Sequence, residues 1–125
     1  MTRTFILLSA VFGFLGVGAG AFGTHALRAT LEASGRYDTY QTAVQYHLLH
    51  ALVLVATAWV AERYPGRWST FAGWLFTAGI LLFSGSLYIL AIGNLPFMGA
   101  IAPLGGACLL LGWLALGIVA WRTPA

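Results

Sequence analysis

Long uncharged apolar runs constrain this chain more than any other feature. No charge lies between Arg3 and Arg28, and Phe71 to Ile92 is uncharged as well. As a helix rising about 1.5 Å per residue, roughly 20 predominantly apolar residues cross the hydrocarbon core of a bilayer. Only structures that satisfy their own backbone hydrogen bonds persist in lipid, so runs of this length are read as transmembrane helices. Four spans are expected, at about residues 4–26, 40–61, 71–92 and 98–121, in a single integral membrane domain covering 1–125.

Composition supports this reading. Charged residues make up 7 % of the chain and hydrophobic residues 60 %, whereas a soluble domain carries about 25 % charge. Six arginines and three acidic residues are too few to wet a globular surface of this size. The +3 balance does not point to nucleic acid, because the arginines stand between apolar segments and form no basic patch with interleaved aromatics. The lone Cys108 sits in an apolar run, as a small buried thiol does. Ala19-Gly20-Ala21 resembles a signal cleavage site, but the preceding run is long for a signal core, so it is read as a retained span.

The connections are short. Leu27 to Tyr37 reads as a brief interfacial helix or turn, with Gly35 as a left-handed cap and Asp38 with Gln41 as a capping box for the second span. Pro65-Gly66 and Gly93-Asn94-Leu95-Pro96 break the chain again, and Pro103 is tolerable near a helix start. Short connections make neighbours antiparallel, so the expected fold is an all-α, up-down-up-down four-helix bundle. Arg3, Arg63, Arg67 and Arg122 fall on one side and Arg28 and Arg36 on the other. This bias favours cytoplasmic termini in a bacterial inner membrane.

Helices in lipid associate by close packing, so small residues mark their interfaces. Gly13, Gly16, Gly20 and Gly23 share a face of the first span, and Gly105, Cys108, Gly112 and Ala115 a stripe of the fourth. On the third, Gly73, Thr77, Ser84 and Tyr88 share a face, and Gly79 and Ser86 the opposite one; Gly85 lies between the two serines. A third helix that is small or polar on both sides is expected to touch protein on both sides. The tryptophans, Trp59, Trp68, Trp74, Trp113 and Trp121, include several near span ends, as aromatic anchors do.

The candidates for chemistry are few. An ionisable residue within a span is a functional-site hypothesis by default. His25 ends the first span, while His47 and His50 share a face near the start of the second with Tyr46 beside them. Three imidazoles at one end of the bundle could ligate metal or haem, relay protons or orient a quinone-like head group. No deep acid or second cysteine completes a metal set, and no metal or cofactor is assigned. Ser84 and Ser86 could line a narrow polar path, but no base accompanies them for nucleophilic catalysis. Gly16 to Gly23 follows no strand and lacks the Lys-Ser/Thr ending of a phosphate loop.

Four ordered stretches carry a family resemblance. They are Gly20-Ala21-Phe22-Gly23-Thr24-His25-Ala26-Leu27; Tyr40 to Val44 with Tyr46-His47 and His50-Ala51-Leu52; Leu82-Phe83-Ser84-Gly85-Ser86-Leu87-Tyr88; and Gly99 to Gly106 with Gly112-Trp113. Together they resemble the YgdD/YwdK-like family of small inner-membrane proteins, which has mitochondrial relatives in animals. The resemblance implies a four-helix membrane topology and no defined activity. It ranks His25, His50, Ser84, Gly85, Ser86 and Tyr88 above His47. Ala102 departs from it, standing where the family more often has Thr.

Three function classes follow. The first is a non-enzymatic accessory protein that packs with itself or a larger membrane complex. The alternative is a small channel or transporter for a solute or protons, although the first span lacks the mid-helix acid of proton-coupled exporters. The third is lipid, quinone or metal/haem binding at the histidine end.

Overall fold

Between Thr2 and Thr24 nothing interrupts helix formation, since the glycines are isolated among Leu, Phe, Val and Ala. The run ends where Thr24 and His25 meet a turn, and Arg28–Ala33 forms the short connecting helix. The computed structural model describes all of residues 1–125. It contains four helices long and apolar enough to span a membrane: Thr2–Thr24, Tyr37–Arg63, Arg67–Gly93 and Pro96–Arg122. This chain is an all-α membrane protein.

The stops have the expected causes. Gly35 takes φ +70° after the connecting helix, and Asn94 takes a left-handed conformation after the third span, where only Gly and Asn are at ease. Pro96 opens a 3-10 turn, Pro96–Ala100, before the α-helix Ala102–Arg122. The capping box at Asp38 does not form. The second span begins at Tyr37, so Asp38 lies inside the first turn, and Gln41 donates to the Tyr37 hydroxyl instead. Asp38 still places negative charge near a helix N-terminus, where it is favourable.

The third span is not uniform. It is α-helical over Arg67–Gly79, π-helical over Ile80–Ser84 and α-helical again over Gly85–Gly93. The wide turn shifts the phase of everything after it. Gly73 and Ser84, placed on one face by a regular helix, therefore meet different neighbours: Gly73 lies under the Phe5 ring of the first span, and Ser84 donates to Ala43 O of the second, at 2.8 Å.

The chain ends group as an up-and-down path requires. Thr2 donates to Glu62 at 2.8 Å, and the Arg122 guanidinium lies 5.7 Å from the Trp68 ring, so both termini and the second connection share one side. On the other side Arg36 reaches Asn94 at 3.4 Å. The second and third spans are the inner pair, with 50 % and 44 % of their apolar windows buried; for the first and fourth the figure is 22 %. The first leans along the second and the fourth along the third, so the bundle is open.

Glycines set the close approaches. A Cβ on Gly16 would meet Leu48, one on Gly23 the Tyr40 ring, one on Gly112 the Phe76 ring, and one on Gly105 the Phe83 backbone nitrogen. Gly20 sits within 3.4 Å of Val44 by the same measure. Two expected packing glycines do not pack: Gly13 and Gly85 face open space, with nothing within 4 Å of where a Cβ would stand. Gly85 borders the groove beside His47 instead.

Candidate functional site

His47 lies ten residues and His50 thirteen residues into Tyr37–Arg63, about 15 and 20 Å along the helix at 1.5 Å per residue. They are therefore central in the span, not at its end, because the helix starts earlier and runs further than its apolar part suggests. His25 caps the first span and is exposed, well separated in character from the other two, which are 6 % and 3 % exposed. The three imidazoles do not gather, and no group of three His, Cys, Asp or Glu side chains is placed to hold a metal ion.

His47 and His50 lie only about 60° apart around the helix, yet they open into two separate grooves. His47 lies with Phe12, Leu15, Ala19, Ile80 and Tyr88 beside a groove of about 290 Å³ between the first and third spans. Its Nδ1 is 2.8 Å from the Tyr88 hydroxyl, Phe12 meets the ring edge-on, and Nε2 is buried without a hydrogen-bond partner. His47, ranked lowest by resemblance, is thus held on more sides than His25.

His50 belongs to the other groove, about 510 Å³ between the second and fourth spans, whose walls include Tyr46, Phe83, Pro103 and Trp113. Its Nδ1 is 2.9 Å from the Tyr46 carbonyl, and Trp113 donates its indole N–H to Nε2 at 3.2 Å. A carbonyl only accepts and an indole N–H only donates. The proton therefore sits on Nδ1, the ring is neutral, and neither nitrogen is free for a ligand. Tyr46 stacks on His50, with planes 11° apart, and leans on Phe83 at 5.0 Å.

The serines do not line a common path. Ser84 bridges to the second span, as described, and Ser86 donates to Phe83 O of its own helix at 2.9 Å. Tyr88 is held by His47 and by the Tyr40 ring at 5.3 Å. Elsewhere in the interior Ser9 donates to Ala51 O, Thr57 to Val53 O and Thr77 to Gly73 O. No serine hydroxyl is hydrogen-bonded to a base.

Sequence reasoning missed Trp113 and Tyr40. Trp113 stands midway along Ala102–Arg122, away from any span end, and bonds His50. The available signal was its depth, since a mid-span indole N–H needs an acceptor. Tyr40, 2 % exposed, packs over Gly23 and donates to Ala19 O.

The family described as "Protein of unknown function (DUF423)" matches residues 19–106. The chain belongs to the DUF423 family. It is 44 % identical over 120 residues to the UPF0382 membrane protein YwdK of Bacillus subtilis, covering 94 % of this chain and 96 % of that one. It is also 35 % identical over 123 residues to the UPF0382 inner membrane protein YgdD of Escherichia coli K12, covering 98 % and 93 %. The Staphylococcus haemolyticus membrane protein SH2409 is 39 % identical over 121 residues, covering 96 % and 97 %. No solved structure matches. The DUF423 match includes the Tyr40–Ala19 bond, His47, His50 and the wide turn, and it leaves out Phe12 and Leu15 of one groove and Leu109, Leu110 and Trp113 of the other.

Proposed function

We propose that this DUF423 protein is a non-enzymatic accessory of the bacterial inner membrane, with both termini in the cytoplasm, which works by packing its outer helices against other membrane protein. The observation that carries this reading is the openness of the bundle. The first and fourth spans are only 22 % buried in their apolar windows, while the interior polar groups are nearly all engaged inside the chain. Ser84, Ser9, Thr57 and Thr77 donate to carbonyls, and both nitrogens of His50 are bonded. Turnover needs a polar group free to act on substrate, and a solute path needs several aligned along one passage. Faces of helices that lack a protein partner are what an accessory offers.

The test is site-specific photocrosslinking in native membranes from Val17 of the first span and Leu110 of the fourth, both largely exposed. A defined protein adduct from either position, this chain or another, is expected. Lipid adducts alone from both would sink the reading.

A further inference from the structure

We infer that the side carrying both termini holds an anionic phospholipid, its phosphate between Arg67 and Arg122 and an acyl chain along the third and fourth spans. This goes beyond the accessory reading and does not depend on it.

The argument starts from two adjoining hollows that share Trp68. The upper one, about 210 Å³, is walled by Tyr64, Gly66, Arg67, Ser69, Arg122 and Thr123 together with that indole. Both guanidinium groups lie against the same ring, at 5.4 Å for Arg67 and 5.7 Å for Arg122. Stacking on an aromatic face orients a guanidinium while leaving its edge N–H groups free for an oxyanion.

Nothing in the chain neutralises this pair. Its one ion pair is Arg28 with Glu32, on the opposite side of the membrane. At this end the acidic groups are Glu62 and the C-terminal carboxylate; Glu62 accepts from Thr2, and neither forms a salt bridge with an arginine. Two unneutralised guanidinium groups against one ring repel each other, and an anion between them removes that cost. Trp68 also keeps a buried indole N–H with no acceptor among the chain's own groups. The third span begins there without a side-chain cap, so first-turn N–H groups are available to the same acceptor.

The second hollow decides the kind of anion. It measures about 440 Å³ and its walls are entirely apolar: Trp68, Phe71, Trp74, Leu75 from the third span with Leu111 and Leu114 among those from the fourth. A free phosphate has no use for such a groove. A molecule with a phosphate at the interface and a hydrocarbon chain running inward fits both hollows at once, and basic pockets between helix ends are where anionic headgroups are held.

Full-length protein in nanodiscs of mixed phosphatidylglycerol and phosphatidylcholine, released and read by native mass spectrometry, tests this. The expected result is retention of phosphatidylglycerol over phosphatidylcholine by at least about tenfold, at roughly 1 kcal/mol per arginine near the surface. Preference should fall to near parity in Arg67→Gln/Arg122→Gln. Both side chains are exposed, so the variant should fold, and an unchanged melting temperature in detergent checks that. Arg3→Gln/Arg36→Gln removes the same charge elsewhere and should keep the preference. An equal loss in that control would overturn the site in favour of diffuse charge. Displacement of the lipid by inorganic phosphate at matched concentration would overturn the lipid assignment. Retained preference in the Arg67/Arg122 variant would overturn the proposal outright.

Discussion

Single residues matter here according to what their neighbour can do. Gly105 and Gly13 are both helical glycines in apolar surroundings, yet they stand at opposite extremes. A methyl on Gly105 would overlap the Phe83 backbone nitrogen, which cannot rotate away as a side chain can, whereas Gly13 faces nothing within 4 Å. Gly105→Ala is expected to cost about 1–3 kcal/mol by overpacking, and Gly13→Ala to stay within about 0.5 kcal/mol, as surface changes do. Melting of the detergent-solubilised variants checks this, and equal melting temperatures would refute the close approach. Glycine spacing alone placed both on helix seams. It could not separate them, because periodicity fixes a direction around one helix and says nothing about whether a partner lies that way. The histidines teach the same lesson. Their three-residue spacing was legible, but His47 meeting Tyr88 and His50 meeting Trp113 required the third and fourth spans to be in place.

Elements carry the next level of information, and the third span carries most of it. Its apolar length was plain from sequence, but the five-residue wide turn at Ile80–Ser84 was not. Local propensity does not distinguish a π-turn from an α-turn in a run of Ile, Leu and Phe. Two tight contacts with the fourth span hold this stretch, Gly79 just before the turn against Leu109 and Phe83 within it against Gly105. Inserting an alanine after Leu82 should rotate Gly85–Gly93 by about 100° against the first half, because the turn is already wide. Tyr88 would then leave His47, and Ser84 its place against Ala43. The insertion should lower the melting temperature far more than Ser84→Ala, which removes one interhelical hydrogen bond of about 0.6 kcal/mol. An insertion no worse than Ser84→Ala would mean that packing does not hold the two halves in a fixed phase.

At the scale of the whole molecule, paired contacts tie each end together. Thr2 with Glu62 and Arg122 with Trp68 close one side, and Arg36 with Asn94 the other. In a Cys108→Ala background, Thr123→Cys should react with an impermeant thiol reagent from the cytoplasmic side and Asn94→Cys from the opposite side, as the arginine bias directs. Labelling of both from one side would break the four-span path. The same bias explains why an arginine pair gathers at the end with the termini, where the two hollows adjoin.

Much of this protein is therefore readable without coordinates. Uncharged runs of bilayer length, breakers between them and too few charges for a wet surface determine a four-span membrane domain, because lipid allows a backbone few alternatives. Family membership is readable too, from motifs spread along the chain. Tertiary structure alone decided that the outer helices leave the bundle open, that His47 and His50 part into separate grooves while His25 stands apart, and that Arg67 and Arg122 share Trp68. Those outcomes depend on which helix faces meet. In lipid the choice falls to close packing of small and large side chains across helices, which no single stretch of sequence contains.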